Sequence, residues 1–438
     1  MKKINTSPIS GMQELTPAKQ AIFDHLKNQI TGVYHAHGFL SIETPMIERT
    51  EILLAKAGGD TEKQIYKVIK TNETVDDADQ ALRFDHTVPL ARYVVEHEND
   101  LAFPFKVTQV GRNFRGERSQ KGRFREFYQL DADVIGRDSL NLAYDAEVIS
   151  VAYEALKTFI KPEMVIRVSN RKILTGLISE LGLESKSEDV YGIIDHAEKV
   201  PKEKTLAAFE EIGLSGSLID TFIKFITIKG SRREVIEKLN ELGVDNEIFK
   251  QGVTELNEVL SILEPSCASA VIGDMLIVRG LDYYTGTVFE TFLSDYREIG
   301  SICSGGRYEN LASNYTESKF PGVGISIGLT RLFYVLNEYS LLDTADRKPI
   351  DLVLVPLTIS QLSYANDLAA KLRQSGKVVD VCANFDKKLA TNIKYASRIS
   401  NYVAIIGEDE VISGHVKIKN LTTGEIKSGA AGAAVSLS

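Results

Sequence analysis

The residues best equipped for chemistry lie at positions 105–136, FKVTQVGRNFRGERSQKGRFREFYQLDADVIG. Between Arg112 and Arg125 this stretch carries Arg112, Arg115, Arg118, Lys121, Arg123 and Arg125, with Glu117 as the only acid and Gly116 and Gly122 inside the run. Guanidinium groups are planar, permanently charged and able to grip phosphate or carboxylate through two hydrogen bonds. The flanks, 104–110 and 127–135, are rich in aromatic and β-branched residues and read as strands. The pattern predicts a long antiparallel hairpin with a basic turn, suited to holding a polyanion. A charge run is otherwise a solvated loop. Here Glu126, Gln129, Asp131 and Asp133 alternate with Phe127, Tyr128, Leu130 and Val134, a mixture that favours a site.

Further candidates lie far away in the chain. Arg83-Phe84-Asp85 reads as a strand end and Pro89 as part of a helix start, leaving Asp85, His86 and Thr87 on the connection. An acid and a hydroxyl there can fix an amino group, or they can cap the helix that follows. Arg279 stands among Ile277, Val278 and Leu281, a poor place for a permanent charge unless an anion meets it. Tyr283 and Tyr284 follow and can share that pocket. Two glycine-rich pieces come next, Ser304-Gly305-Gly306-Arg307-Tyr308 and the run 322–332, where glycine alternates with Val and Ile before a helix whose first turn carries Arg331. Such a strand suits close approach by another backbone or by a ligand. Neither piece is a GxGxxG or Walker loop, so no Rossmann or P-loop nucleotide site is indicated.

These residues need a frame. Thr16-Pro17 opens a helix with Ile22, Phe23, Leu26, Ile30 and Val33 on one face, followed by a strand over 39–43 that ends at Pro45. A helix over 146–159 and a strand over 164–168 follow the hairpin. Residues 170–263 change to short Glu- and Lys-rich helices, an apparent insertion whose 229–233 basic cluster either touches a nucleic-acid backbone or starts a solvated helix. Strands resume over 275–292. A polar linker at 341–350 leads into alternating strands and helices over 351–407 and a hairpin around Thr422-Thr423-Gly424, implying a small parallel-type sheet.

At 438 residues the chain fits two or three domains, and 43% hydrophobic with 25% charged residues is the composition of a globular protein. The net charge of −9 excludes general attraction to nucleic acid, so any such contact must be local. Cys267, Cys303 and Cys382 are too scattered for a zinc or disulfide framework and read as buried thiols in a reducing compartment. The N-terminus has no apolar segment of a secretory signal and no stretch approaches a membrane span, so a cytoplasmic location without membrane contact is expected.

Taken together, the chain resembles the histidyl-tRNA synthetases, class II aminoacyl-tRNA synthetases, over nearly its full length. The first class signature is matched by residues 38–45. The second is matched by Asn113-Phe114-Arg115-Gly116-Glu117 running on to Arg123-Phe124-Arg125-Glu126-Phe127, and the third by 322–332. Residues 278–286 (VRGLDYYTG) and 304–308 match pieces particular to the histidine enzyme. The resemblance implies an α+β catalytic core with a mixed, mainly antiparallel sheet (1–169 and 264–340), a helical insertion domain (170–263), a linker (341–350) and a C-terminal α/β anticodon-binding domain (351–438). It implies ATP and Mg²⁺ as co-substrates, a homodimer partly built from the first signature, and L-histidine and tRNA(His) as the other substrates. The number and ligands of Mg²⁺ stay open.

The resemblance also implies roles. Arg115 would hold the histidine carboxylate against the α-phosphate, Arg279 would reach that phosphate from elsewhere, and Arg331 would clamp the γ-phosphate. Phe127 would lie on adenine, with Glu117 and Arg123 contacting base and phosphates. Asp85, Thr87 and Gln129 would accept the α-amino group; Asp133 and the Tyr283/Tyr284 pair would meet the two imidazole nitrogens. Arg118 and Gln120 would reach the acceptor end of the tRNA. Asp85 and Asp133 are shorter than the Glu of some members, and Thr330 replaces a Glu common in the class. The rival reading is a histidine-binding regulatory paralogue that does not charge tRNA; such chains typically lack a segment like 351–438. A general nucleic-acid-binding module is the third, and the net charge opposes it.

Overall fold

The computed structural model describes residues 4–55, 62–72, 74, 78–118, 122–267, 269–278, 283–342 and 348–430. The chain divides into two compact units, Met1–Gln13 with Lys27–Leu342, and Glu14–Leu26 with Asp343–Ser438.

Helix α1 (Pro17–Ala36) starts on its proline and leads to β1 (Leu40–Ser41). A three-stranded sheet follows, made of β2 (Ile47–Arg49), β3 (Lys67–Val68) and β4 (Gln80–Leu82), with α2 (Thr50–Leu54) after its first strand. Helix α3 (Thr87–Glu96) then precedes the expected hairpin, β5 (Phe105–Phe114) and β6 (Glu126–Ile135), which pair antiparallel from Phe105↔Ile135 to Phe114↔Glu126. Helix α4 (Ala143–Lys157) and β7 (Met164–Asn170) come next.

The Glu- and Lys-rich stretch folds as α5 (Arg171–Glu180), α6 (Ser187–Ala197), α7 (Lys202–Glu211) and α8 (Ser217–Ile226), then β8 (Lys229–Gly230), α9 (Arg232–Glu241) and α10 (Glu247–Cys267). The basic cluster at its centre is the start of α9, where Ser231 and Glu234 form a capping box. Of the strands expected over 275–292, one falls before that span and one at its end. β9 (Val271–Asp274) stops where the Asp274 carboxylate accepts the Leu276 N–H at 3.0 Å and turns the chain, and β10 (Thr287–Leu293) begins after the tyrosine pair. The first unit closes with β11 (Cys303–Tyr308), β12 (Gly322–Gly328) and α11 (Leu329–Glu338).

The main sheet runs β1-β5-β6-β12-β11-β10-β7-β9-β8. β1 with β5 and β7 with β9 are parallel; the other neighbours are antiparallel. Period-two alternation separates its faces. Leu130, Ala132 and Val134 of β6 stand beside Ile327, Ile325 and Val323 of β12, all buried, on the face that takes the apolar side of α4 (Val148, Ile149, Ala152). The other face carries Gln129, Asp131 and Asp133 opposite Gly328, Ser326 and Gly324. These six positions are polar or bare, and there the site forms.

The second unit contains β13 (Leu352–Pro356), α12 (Leu362–Gln374), β14 (Val379–Val381), α13 (Leu389–Ile399), β15 (Tyr402–Ile406), α14 (Glu408–Ser413), β16 (His415–Asn420) and β17 (Ile426–Ala430). Its sheet order is β14-β13-β15-β16-β17, parallel across the first three and antiparallel beyond. Leu352 and Leu354 pack with Ala365, Leu368 and Ala369 of α12, while Val353 and Val355 pack with Ala396 of α13. A strand covered on both faces has no polar side, which explains its unbroken apolar run.

Candidate active site

Two neighbouring cavities lie on the polar face of the main sheet. The larger, about 340 Å³, is lined by Arg115, Glu117, Arg123, Phe127, Glu290 and Arg331, among others. The smaller, about 20 Å³, is lined by Asp85, Thr87, Asp131, Asp133, Tyr283, Tyr284 and Tyr308. Gln129 and Ser326 line both.

The larger cavity gathers guanidinium groups from two separate parts of the chain. Arg115 follows β5; its backbone N–H donates to Arg125 O at 2.9 Å and its Nε to Phe84 O at 3.1 Å. Its guanidinium carbon stands 5.1 Å from the Phe127 ring centroid, an additional cation–π support. Arg331, in the first turn of α11, donates Nη2 to Ile299 O at 2.6 Å. Burial, then the neighbouring Arg123, push its guanidinium below the usual arginine value, so an anion in the cavity relieves both. Arg123 Nη1 lies 3.3 Å from Glu117 Oε2. Gly122, with φ +73°, supplies the left-handed residue this turn needs next to Arg331. Thr330 occupies its position for a local reason: its hydroxyl accepts the Tyr128 N–H at 2.8 Å, tying α11 to the strand that carries Phe127.

The smaller cavity is acidic, and two of its hydroxyls, those of Tyr283 and Tyr308, are engaged with its carboxyls. Asp85 caps α3 and lines the cavity at once, resolving the alternative left by the sequence: Oδ1 accepts the Val88 N–H at 3.1 Å and Oδ2 receives the Tyr283 hydroxyl at 3.4 Å. Burial raises its carboxyl to about 6, against the pull of that N–H and of Arg115. Tyr308 donates to Asp133 Oδ1 at 2.9 Å, and burial, then the charge of Asp131, hold the Asp133 carboxyl well above the usual range. Gln129 accepts from Asn113 Nδ2 at 2.5 Å and donates to Ser326 at 2.7 Å, which leaves its carbonyl one lone pair for a ligand. Asp133 lies directly over Gly324, where a Cβ would sit 2.0 Å from its Oδ1.

The sequence expectations divide cleanly. Asp85, Thr87, Gln129, Asp133, Tyr283 and Tyr284 meet in one cavity; Arg115, Glu117, Arg123, Phe127 and Arg331 meet in the other. Arg118 is exposed and lines neither, while Arg279 and Gln120 lie outside the described residues. Sequence reasoning gave no role to Asp131, Glu290 or Ser326, and left Tyr308 out of the site. Asp131 carried a signal, since residues 129, 131 and 133 must share a strand face. Glu290 carried none: its place depends on the register Glu290↔Ser304↔Ser326↔Asp131 across four strands. Burial raises the Glu290 carboxyl to about 7, assisted by Asp195. Among the described residues no three or more His, Cys, Asp or Glu gather as a metal site, and no helix is long and apolar enough to cross a membrane.

A family model described as histidyl-tRNA synthetase matches residues 11–332, and one described as an anticodon-binding domain matches 351–437. The chain belongs to the histidyl-tRNA synthetase family. A histidine–tRNA ligase of Clostridium tetani is 44% identical over 435 residues, covering 98% of this chain and 97% of that protein. One from Xanthomonas campestris is 39% identical over 448 residues, covering 96% and 93%. The crystal structure of histidyl-tRNA synthetase from Nostoc sp. PCC 7120 superposes with a TM-score of 0.87 at 38% identity, covering 98% of each chain. A Bacillus halodurans structure described as an ATP phosphoribosyltransferase regulatory subunit/histidyl-tRNA synthetase has a TM-score of 0.76 at 22% identity, which shows a shared fold. The main sheet with its helices, joined to an α/β anticodon-binding domain, is thus the class II synthetase fold of this family.

Proposed function

We propose that this chain activates L-histidine with ATP to histidyl-adenylate and transfers the histidyl group to the 3′ end of tRNA(His). The observation that carries the reading is the pair of neighbouring cavities, one acidic and hydroxyl-lined, the other rich in guanidinium, that share Gln129 and Ser326 in their walls. Histidine sits with its α-ammonium toward Asp85, Thr87 and Gln129 and its ring toward Asp133 and the tyrosines. Tyr283 is engaged with Asp85 and Tyr308 with Asp133, so these two hydroxyls position the acids that face the ligand. The carboxylate then lies at the mouth of the small cavity, where Arg115 holds it against the α-phosphate. A carboxylate oxygen attacks phosphorus, the bond to the bridging oxygen breaks, and pyrophosphate leaves with that electron pair. Catalysis of this kind is mainly positioning and charge stabilisation. Arg331 takes the terminal phosphate, Phe127 the adenine, Glu117 and Arg123 the base and phosphates, and Arg279 is assigned by its place in the family motif. In the second step the terminal ribose hydroxyl of the tRNA attacks the adenylate carbonyl, with Arg118 and Gln120 beside the acceptor end.

Mg²⁺ enters with ATP and neutralises phosphate charge. The carboxylates available to it in the larger cavity are Glu117 and Glu290, consistent with a metal held mostly by substrate oxygens. Leu40, Met46, Ile47 and Leu54 are exposed apolar side chains on or beside the first signature, which supports a homodimer through that segment. A cytoplasmic location follows from tRNA charging. The reading is tested by histidine-dependent ATP–pyrophosphate exchange followed by charging of unfractionated tRNA with each standard amino acid. Histidine binding without exchange would replace it with the regulatory reading.

Two outcomes are expected from the geometry. Gly324→Ala puts a methyl against Asp133 and should raise the KM for histidine about 10- to 100-fold with the KM for ATP little changed, as for a misplacement of about 1 Å. Glu290 is protonated below about 7 and ionised above it. Exchange at limiting Mg²⁺ should therefore fall as pH drops through 7, and Glu290→Gln should flatten this limb while raising the Mg²⁺ requirement.

A further inference from the structure

Asp131 is the middle residue of the polar face of β6, 3% exposed, and it lines the smaller cavity. Its Oδ2 lies 2.9 Å from His86 Nδ1, and its backbone oxygen accepts the Thr108 hydroxyl at 2.8 Å. Its Oδ1 is buried without a hydrogen-bond partner. A buried carboxylate oxygen left unmatched is costly, and on a residue that lines a ligand cavity it is one a ligand can satisfy. His86 is fully buried; Gln109 Nε2 donates to its carbonyl at 3.2 Å, and Thr44 donates to Gln109 Oε1 at 2.9 Å. Because an ionised carboxylate only accepts, Nδ1 of His86 carries the proton.

Charge gives the second constraint. The cavity is lined by three carboxylates, Asp85, Asp131 and Asp133, and by no lysine or arginine. The other titratable groups facing Asp131 are His86 on the connection before α3, Tyr283 and Tyr284 before β10, Cys303 and Tyr308 on β11, and Tyr34 on α1. The arginines stand outside the lining, Arg115 in the adjoining cavity and Arg83 behind His86, where both approach Gly111. Burial holds the Asp85 and Asp133 carboxyls above their usual range, so a cationic ligand is the one that lets them ionise here. Histidine's α-ammonium supplies one unit, and a protonated ring supplies a second.

Resting on the reading of this cavity as the amino-acid site, we propose that Asp131 is a specificity-determining residue contacting histidine, its free oxygen accepting one ring N–H while Asp133 accepts the other, so that the ring is bound as imidazolium. His86 is the positioning residue that holds Asp131. Asp131 and Asp133 are two residues apart on one strand face, so about 6.6 Å separates their backbones. Two ring nitrogens, each about 2.9 Å from its acceptor, bridge a gap of that order. The proton balance closes within the site: a neutral ring takes the proton that Asp133 holds, leaving a carboxylate beside an imidazolium.

The test compares histidine with 1,2,4-triazole-3-alanine, an isostere whose ring stays unprotonated near neutral pH, in pyrophosphate exchange. The wild type should favour histidine in kcat/KM by at least about tenfold, a comparison needing no variant. Asp131→Asn should raise the KM for histidine about 10- to 100-fold, the range for losing a hydrogen bond to a charged group, with kcat little changed and discrimination against the triazole reduced. His86→Leu should shift KM the same way and His86→Gln, which keeps a donor, should largely restore it. Equal losses on both substrates from Asp131→Asn, identical behaviour of the two His86 variants, or a wild type indifferent to the triazole would each overturn the proposal alone. Absence of exchange in the wild type would overturn the reading of the cavity and this inference with it.

Discussion

Replacing Arg115 by glutamine should lower histidine-dependent pyrophosphate exchange by about a thousand-fold or more. Loss of one preorganised donor to a developing anion costs about 10²–10³ in rate, and a guanidinium that bridges carboxylate and phosphate supplies more than one. The geometry makes Arg115 such a group. Its Nε is fixed on Phe84 O, its guanidinium is supported by Phe127, it lines the larger cavity, and no hydrogen bond from another described residue engages its Nη atoms. Because the charge it meets grows during transfer, the loss should fall mainly on kcat. Arg115→Lys keeps the charge without the fork and should recover only part of it. Activity of the glutamine variant within tenfold of wild type would remove Arg115 from the mechanism.

The second large effect concerns stability. Asp145 and Arg307 are 0% and 4% exposed, and the arginine reaches the carboxylate through Nε at 3.1 Å and Nη2 at 2.7 Å. Asp145→Ala leaves the buried guanidinium with the partly exposed Glu309 and the carbonyls of Leu140 and Asn141 as partners, and breaking a buried pair in this way costs about 3–5 kcal/mol. Replacing both partners, Asp145→Leu with Arg307→Met, should regain much of that loss, because an apolar pair needs no desolvated charge. The chain has no tryptophan and 17 tyrosines, so guanidinium melts followed by tyrosine fluorescence report the change. A single variant as stable as the wild type would show that water reaches Arg307. Arg307 also immediately precedes Tyr308, which lines the amino-acid cavity, so the folded single variant should bind histidine less well.

Local patterns in the sequence carried much of this. The hairpin, the α11 start with Arg331 and the parallel strands of the second unit follow from alternation, proline and glycine, which act within a few residues. The acids of β6 fall on one face for the same reason. What the sequence withheld depends on pairing between distant strands. Arg307 read as part of a glycine run, since its partner is far off in sequence on α4. Glu290 enters the larger cavity only through strand register, where a slip of one residue would turn it to the other face. The early end of β9 was not legible because a single aspartate side chain turns the backbone before the apolar residues 275–278.

The bare backbone of β12 limits how this enzyme can be re-engineered. Where Gly322 and Gly324 lie under Tyr308 and Asp133, there are no side-chain atoms to trim. Room for a bulkier amino acid must therefore come from the tyrosines or from the acids, and randomised libraries aimed at new substrates should spend their diversity there.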